Sequence, residues 1–274
     1  MEFPLTLRQI TRDIINLVEF KSGIPVRVAQ DPQLPTIATV RIARKGSVPN
    51  HFVIYKPSPG ESPDYQICFE CAYILRLFSN PPERRFDLID TAKWREEVEK
   101  SMSTPGGVAI KYRLRKAQIE ELRSQFLNGL LVHLRSVPIG LRVSEWLATN
   151  YPELKPLEEE HVQKEFKINR EALKGEVKDI TPAKVFRAAQ VITAAYTLLW
   201  SEKLGKPEVF NPYRLEKYEK DGRALLDIYE QMPDDPTYDQ ALIDAWGKHL
   251  GLIDWYTWQL YQPPSSSTSS ASTS

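Results

Sequence analysis

Cysteine is scarce in this 274-residue chain, which contains only Cys68 and Cys71. Two cysteines at this length exclude a secreted domain that is built on disulfides. The first six residues, from Met1 to Thr6, lack the basic start and the apolar stretch of a signal peptide. The apolar runs fall well short of the roughly 20 residues that span a bilayer. The sequence therefore predicts a soluble, cytoplasmic protein that does not enter a membrane.

The chain also lacks a net charge, because 36 lysines and arginines balance 36 aspartates and glutamates. A global field that would collect nucleic acid or an anionic membrane is therefore absent, although local charged patches are still possible. The sequence contains no phosphate-binding glycine loop, no nucleophile elbow and no dinucleotide fingerprint. We therefore expect no cofactor.

The N-terminal part of the chain changes between helical and strand patterns. Thr6 is positioned to cap a first helix that runs to about Phe20, and Gly23 is positioned to end it. Three β-rich segments follow, and a turn joins the last two into a hairpin. An apolar helix from about Pro63 to Phe78 carries both cysteines. The predicted strands cover residues 24–29, 36–43 and 51–55, with the turn at residues 46–50.

From Asp87 onward the pattern is helical almost to the end of the chain. A long helix begins near Leu114, and Pro138 and Gly140 are expected to end it. Thr181 and the proline that follows it are expected to cap and start the central helix of this part. The other predicted helices cover residues 91–102, a short segment around Trp146, and residues 156–173, 212–230 and 236–259.

These patterns predict an α+β fold: an N-terminal helix, a small antiparallel sheet and a buried helix, followed by a mostly α-helical C-terminal lobe. The break at Thr104–Gly107 marks the boundary between the two lobes. We expect residues 1–103 to form the α+β lobe and residues 104–262 to form a helical lobe packed on it. Residues 263–274 are expected to be a disordered tail rich in Ser and Thr, because such a segment cannot bury apolar surface.

The two cysteines share one helix face, since they are three positions apart. A redox pair requires an exposed first cysteine at a helix N-terminus, where the helix dipole lowers the thiol pKa. Here about one helical turn precedes Cys68 and the flanking residues are apolar, so the pattern favours buried, inert thiols. A thiol-dependent enzyme that uses Cys68, Cys71 and Glu70 is the alternative.

A metal site is a further alternative for the same segment. Structural zinc requires four ligands, which usually come in two close pairs, and the chain has one cysteine pair and four scattered histidines. His51 is the best candidate to join Cys68 and Cys71, because it lies in the predicted strand nearest to the cysteine helix. The sequence predicts no metal, and these three residues are the candidate ligands if one is bound.

Glu70 is the only acidic residue within the apolar part of the cysteine helix. A carboxylate among apolar side chains is costly unless it is paired or protonated. We favour an edge position or an arginine partner such as Arg76, and the alternative is a catalytic carboxylate. Glu70 is accordingly the only candidate catalytic residue.

The order of elements resembles that of the ImmA/IrrE-type zincin-like metallopeptidases. A helix, the segment GIPVRVAQDPQLP, the hairpin ATVRIARKGSVPNHFVIYKPS and the apolar helix DYQICFECAYILRLF carry the resemblance, which covers roughly residues 5–135. In that family the helix carries a His-Glu-x-x-His motif, which falls on Phe69–Tyr73 in this chain. Only the glutamate, Glu70, is retained, because Phe69 and Tyr73 occupy the positions of the two metal-binding histidines.

The resemblance implies a catalytically inactive relative of these peptidases. In the family two histidines hold zinc and the glutamate activates the metal-bound water. Phenylalanine cannot bind a metal and tyrosine is a poor substitute, so Glu70 would have no water to activate. Such relatives commonly serve as interaction or sensing modules, which is an analogy at the level of the fold. We therefore expect a non-catalytic binding or regulatory protein.

Two basic clusters point to one more alternative, a DNA-associated regulator that contacts phosphates. Because the net charge is zero and such clusters are usually solvated, we favour a protein partner over nucleic acid. The clusters consist of Arg41, Arg44 and Lys45, and of Lys111, Arg113, Arg115 and Lys116.

Overall fold

A computed structural model describes residues 7–104 and 107–264. Its contacts divide the chain into two compact units. Among the described residues, the α+β unit comprises residues 7–85 together with residues 260–264, and the helical unit comprises residues 86–104 and 107–259. The predicted cap Thr6 and most of the predicted tail lie outside the described residues. The predicted division after residue 103 stays a prediction, while the contacts place the division at residue 85.

The α+β unit begins with the predicted helix, α1 (Gln9–Ser22), which ends at Gly23 in the left-handed conformation with φ of 71°. Three strands follow, and β3 lies in the centre of the sheet. Along β3, His51, Val53 and Tyr55 are buried while the residues between them are partly exposed. The strands are β1 (Val26–Gln30), β2 (Ala38–Arg41) and β3 (His51–Tyr55).

The sheet combines two kinds of pairing. Strands β2 and β3 are antiparallel, as the predicted hairpin requires. Strands β1 and β3 are parallel, with Val26 opposite His51 and Gln30 opposite Tyr55. The expectation of a purely antiparallel sheet was therefore wrong for this pair. Turn residues predict pairing only between strands that follow each other in sequence. Strands β1 and β3 are separated in sequence by β2, so no turn signal predicts how they pair.

Helix α2 (Asp64–Ser79) carries both cysteines and is almost entirely buried, as predicted. It packs against α1 and against β2 and β3. A segment from the far end of the chain completes this unit. The Tyr261 hydroxyl donates a hydrogen bond to the Ala43 carbonyl over 2.7 Å, and the Tyr261 ring packs edge-on against Phe78.

The helical unit contains the longest helix, α5 (Lys116–Asn150), which continues through Pro138 and Gly140 and includes Trp146. The predicted end at Pro138 was wrong. A proline inside a helix costs roughly 3 kcal/mol, but Pro138, Ile139 and Leu141 are all buried. Burial of this stretch against neighbouring helices offsets the lost backbone hydrogen bond.

Around α5 the helical unit contains eight further α-helices, counted among the described residues. Thr91 caps α3 by accepting a hydrogen bond from the Trp94 backbone N–H. Helices α9 and α10 replace one predicted helix, because Lys217 adopts a φ of 63° between them. The helices are α3 (Ala92–Ser103), α4 (Val108–Lys111), α6 (Lys155–Glu171), α7 (Gly175–Ile180), α8 (Ala183–Lys203), α9 (Asn211–Leu215), α10 (Glu219–Gln231) and α11 (Asp239–His249), besides short 3-10 turns.

A two-stranded sheet is the feature of this unit that the helical pattern did not predict. It pairs β4 (Phe86–Asp90) with β5 (Tyr256–Leu260), and the last predicted helix ends at His249 instead of residue 259. In β5 the side chain of Trp258 donates a hydrogen bond to Asp244 over 2.9 Å. The predicted helix over residues 236–259 contains Trp246, Trp255 and Trp258, of which only Trp258 lies in β5.

Helix α8 is the central helix of the unit, as predicted, and it packs against α5 and α10. Gly222 of α10 approaches it so closely that a Cβ atom there would lie 3.2 Å from the Ala194 Cβ. Thr181 precedes α8 but does not cap it, since its hydroxyl donates to the Val177 carbonyl over 2.7 Å. Within residues 7–104 and 107–264, no helix is both long enough and apolar enough to cross a membrane.

Candidate functional site

The N-terminal end of α2 is organised around a buried carboxylate, Asp64. Its Oδ1 accepts hydrogen bonds from the Arg8 backbone N–H, over 2.9 Å, and from the Thr11 hydroxyl. The Ser62 hydroxyl donates to the other oxygen, Oδ2. Asp64 therefore ties the start of α1 to the start of α2, and its hydrogen bonds offset the cost of burying the charge.

Cys68 lies directly beside this carboxylate cluster. Its thiol donates to the Thr11 hydroxyl oxygen over a sulfur–oxygen distance of 3.5 Å. Burial raises the Cys68 pKa to about 11, although the hydrogen bond to Thr11 acts in the opposite direction. At neutral pH the side chain is a thiol and not the thiolate that nucleophilic or metal chemistry requires.

Cys71 is fully buried on the same helix face, one turn further on. Burial raises the Cys71 pKa well above its ordinary value, and Cys68 and Glu70 add to this shift. The side chain of Glu70 itself is only partly buried. Of the two residues at the histidine positions of the resemblance, Tyr73 is buried and Phe69 is partly exposed. The structure therefore places both predicted thiols in the interior, with Glu70 closer to the surface.

His51 is fully buried at the start of β3. Its Nδ1 accepts a hydrogen bond from the Ala43 backbone N–H over 3.1 Å, so the proton of the neutral ring lies on Nε2. Burial, assisted by the charge of Arg44, lowers the His51 pKa to about 4. The ring packs edge-on against Phe78 with 5.4 Å between ring centroids.

The three candidate metal ligands do not converge. His51 contacts Phe78, near the C-terminal end of α2, whereas Cys68 contacts Thr11 near its N-terminal end. Ten residues of α-helix correspond to about 15 Å, and zinc ligands must lie within about 2.3 Å of one ion. Among the residues that the structure describes, no group of three or more His, Cys, Asp or Glu side chains could hold a metal ion.

The two basic clusters belong to different units. In the α+β unit, Arg41 is exposed at the end of an edge strand, and the Lys45 backbone N–H donates to the Gln262 carbonyl over 3.0 Å. Arg44 accepts and donates backbone hydrogen bonds in the turn that closes the hairpin. This cluster therefore surrounds the β2–β3 turn, and its role as a binding patch stays a prediction.

The second cluster connects α4 to α5 in the helical unit. Lys111 forms an ion pair with Asp179 over 3.2 Å. Arg113 adopts a left-handed φ of 51°, and the Arg115 backbone N–H donates to the Gln118 side chain over 3.0 Å. Lys116 is the first residue of α5. Two of these four basic residues therefore have local partners, and phosphate contact by this cluster also stays a prediction.

A cleft in the helical unit is the site that the sequence did not predict. It has a volume of about 1000 Å³ and lies between the C-terminal part of α5, the start of α6, the end of α8 and the loop after α10. Several lining residues are exposed, so the cleft opens to solvent. The lining residues are Ser144, Glu145, Trp146, Ala148, Thr149, Asn150, Pro152, Lys155, Glu158, Glu159, Gln163, Trp200, Lys203, Leu204, Lys206 and Asp234.

Arg142 lies behind this cleft and is 6 % exposed. Its guanidinium donates to the carbonyls of Tyr229 and Met232 over 2.7 and 2.6 Å, and it stacks 3.9 Å from the centroid of the Tyr229 ring. Two carboxylates that line the cleft, Glu145 and Asp234, lie 3.7 and 3.8 Å from it. Arg142 thereby fastens the end of α10 and the loop after it to α5.

Glu145 is held in place from two sides. The Tyr229 hydroxyl donates to Oε2 over 2.7 Å, and the Lys203 ammonium contacts Oε1 over 3.0 Å. Burial and the adjacent Glu145 carboxylate raise the Tyr229 pKa above its ordinary value. Tyr229 therefore stays protonated and keeps its hydroxyl as a donor, so the cleft has a prearranged wall of paired charges.

Sequence reasoning missed this cleft because α5 was predicted to end at Pro138. With that predicted end, Trp146 belonged to a separate short helix. Arg142 and Glu145 were then not predicted to share a face of the long helix. Within one continuous helix, Arg142 and Glu145 are three positions apart and lie on the same side. This spacing is the one signal by which the sequence could have pointed to the site.

Comparison with models of known protein families gave no match to the chain, and neither the curated proteins nor the solved structures gave one. The resemblance to the ImmA/IrrE-type metallopeptidases therefore stays a prediction.

Proposed function

We propose that this protein is a non-catalytic binding or regulatory module on a degraded metallopeptidase-like core. The metallopeptidase-like part of the proposal rests on the sequence resemblance, with Phe69 and Tyr73 at the histidine positions. The non-catalytic part is carried by one observation: Cys68 and Cys71, the residues best suited to chemistry in α2, are buried thiols with raised pKa values.

The buried groups of α2 have structural tasks that explain their presence without catalysis. Asp64 joins the starts of α1 and α2, and Cys68 donates to Thr11 in the same cluster. His51 accepts from the backbone of Ala43 and is uncharged at neutral pH. A catalytic acid or base needs a pKa near the working pH and access to substrate. His51 and Cys68 have neither, because both are buried and their pKa values are about 4 and about 11.

The proposal includes a cytoplasmic location and a protein partner. Both cysteines are free, which agrees with a reducing compartment. A protein partner is favoured over nucleic acid because the chain has no net charge. In the second basic cluster Lys111 is already paired with Asp179.

The test measures thiol accessibility and metal content of the purified protein. We expect Cys68 and Cys71 to react with a thiol-specific reagent only after denaturation, since the reagent needs an exposed thiolate. A Ser47→Cys variant supplies the matched control, because Ser47 is exposed in the β2–β3 turn and its thiol should react in the native state. Elemental analysis should find no stoichiometric zinc.

Two results would overturn this proposal. One is a thiol of the unaltered native protein that reacts as fast as the Ser47→Cys thiol, which would favour a thiol-dependent enzyme. The other is stoichiometric zinc that is lost in Cys68→Ala, Cys71→Ala or His51→Ala variants, which would favour a metal-dependent enzyme.

A further inference from the structure

We propose that the cleft in the helical unit binds a short segment of a partner protein that carries both acidic and basic side chains. This inference rests on the proposed function, because it assigns the binding surface of a non-catalytic module. It depends on the charges, the aromatic walls and the prearranged network of the cleft, all of which lie within the helical unit.

The cleft contains charges of both signs. Three lysines and four carboxylates line it. A polyphosphate or a nucleic-acid backbone would gain contacts with the lysines but would also face the carboxylates, and such repulsion costs affinity. A purely cationic ligand would gain contacts with the carboxylates but would be repelled by the lysines. The lining lysines are Lys155, Lys203 and Lys206, and the carboxylates are Glu145, Glu158, Glu159 and Asp234.

The aromatic walls favour a polypeptide over a small polar ligand. Trp146 is partly exposed at the cleft and packs edge-on against Tyr151, with 5.4 Å between ring centroids. Trp200 is only 5 % exposed and lies under the Lys203 ammonium, which is 5.3 Å from its ring centroid, so Trp146 is the tryptophan that a ligand can reach. Tryptophans inside a polar rim are typical of protein–protein contacts, where they contribute most of the binding energy.

The size of the cleft agrees with this class of ligand. Its volume of about 1000 Å³ is at the upper end of the roughly 300–1,000 Å³ that small-molecule pockets have. Amide and hydroxyl side chains at its surface, Thr149, Asn150 and Gln163, can pair with the backbone of an extended segment.

The charged wall needs little rearrangement before binding. Tyr229 and Lys203 hold the Glu145 carboxylate, and Arg142 holds the loop that carries Asp234. Groups that are ordered beforehand lose less conformational entropy when a ligand binds. A basic side chain of the segment can therefore pair with a fixed carboxylate, while Lys155 and Lys206 of the same cleft can pair with an acidic side chain.

The test uses a display library of short random peptides, which is selected on the full-length protein. Selected peptides are then measured against two cleft variants, Ala148→Arg and Lys206→Glu. Ala148 and Lys206 both line the cleft, so an inserted arginine should block it and the reversed charge should repel acidic side chains. We expect affinity to fall by about tenfold or more in each variant, as for a contact at the centre of an interface.

Matched controls carry the same substitutions outside the cleft. Ala241→Arg on α11 and Lys167→Glu on α6 lie at exposed positions that do not line it. These variants should bind the selected peptides as the unaltered protein does. Circular dichroism of all four variants should show the same helix content and thermal midpoint, which excludes unfolding as the cause of lost affinity.

Three results would overturn the inference. The first is that no peptide is enriched over an uncoated surface, and the second is that the cleft variants and their controls bind the peptides equally. The third is that single-stranded DNA or ATP loses affinity in Ala148→Arg and Lys206→Glu while the peptides bind these variants unchanged. Each of these results leaves the thiol and zinc measurements unchanged, so the proposed function is tested separately.

Discussion

Helix α2 of the α+β unit and the cleft of the helical unit both collect ionisable side chains, but they differ in access to water. In α2, Asp64 and both thiols are buried and hydrogen-bond locally or pack against apolar groups. In the cleft, Glu145 and Lys203 are paired with each other and are still about one-third exposed. The two cysteines therefore lie in the interior of this protein, whereas glutamate and lysine side chains form its accessible site.

The difference has a physical basis in the pKa values. Burial raises the pKa of the thiols and lowers that of His51, so each group is held in its neutral form. In the cleft, by contrast, the Glu145 carboxylate and the Lys203 ammonium lie 3.0 Å apart and are in contact with solvent.

The largest effect is expected at the wall of the cleft, from Arg142→Ala. This change removes the guanidinium donor from the carbonyls of Tyr229 and Met232, although the Tyr229 carbonyl still accepts from the Met232 backbone N–H over 3.3 Å. Removal of one partner from a buried charged network typically costs about 3–5 kcal/mol, so we expect the free energy of unfolding in urea to fall by that amount. The control is Arg214→Ala, an exposed arginine that pairs with Glu219 over 3.0 Å, where a loss of about 0–1 kcal/mol is expected. Equal losses in the two variants would remove the distinction between a fixed wall and a surface pair.

The second effect is acid sensitivity, which His51 introduces into the α+β unit. Its pKa is lowered from 6.5 to about 4 in the folded protein, so the unfolded chain binds the proton first as pH falls. Stability from this group is therefore complete above pH 6.5 and is lost between pH 6.5 and about 4. The loss is on the order of 3 kcal/mol. His133 and His161 have pKa values lowered in the same direction by burial and add to it in the helical unit.

Urea unfolding at a series of pH values checks this prediction. A His51→Gln variant should lose about 3 kcal/mol less stability between pH 6.5 and 4 than the unaltered protein, because one of the groups that gain a proton on unfolding is gone while His133 and His161 still contribute. An unaltered pH dependence in His51→Gln would assign acid sensitivity to other groups.

The smallest effect distinguishes the two thiols of α2. In Cys68→Ser the new hydroxyl has the Thr11 hydroxyl within reach, since the present sulfur–oxygen distance is 3.5 Å. In Cys71→Ser the hydroxyl replaces a fully buried thiol at an apolar position, and a buried hydroxyl without a partner costs about 1–3 kcal/mol. We expect Cys71→Ser to be less stable than Cys68→Ser by roughly 1–2 kcal/mol. The thermal midpoints of the two variants give the measurement, and a reversed order would contradict the assigned environments.

Much of the fold could be predicted from local signals. Gly23 ends α1 in a left-handed conformation, Thr91 caps α3, and the apolar run predicted α2 almost to the residue. These signals act through atoms within one or two turns of the same segment, so a sequence pattern contains them. The prediction of two core cysteines agrees with their burial for the same reason, because the flanking residues are apolar.

The errors occurred where distant residues decided the outcome. Pro138 ended a predicted helix, but burial of its neighbours keeps α5 continuous. The β5 strand was read as helix, because its pairing with β4 joins residues from distant parts of the chain. The parallel pairing of β1 with β3 has the same origin.

The sequence by itself determined the α+β class, the order of helices and strands in the first eighty residues, and the apolar nature of α2, since all three depend on periodicity and on nearby capping residues. Only the tertiary structure decided where the accessible charges meet. Arg142 contacts a carbonyl 87 residues away, and Glu145 accepts from a hydroxyl 84 residues away. Such pairs form because α10 packs against α8 and α8 packs against α5, which brings the partners together. A local sequence pattern cannot predict contacts between residues so far apart in the chain.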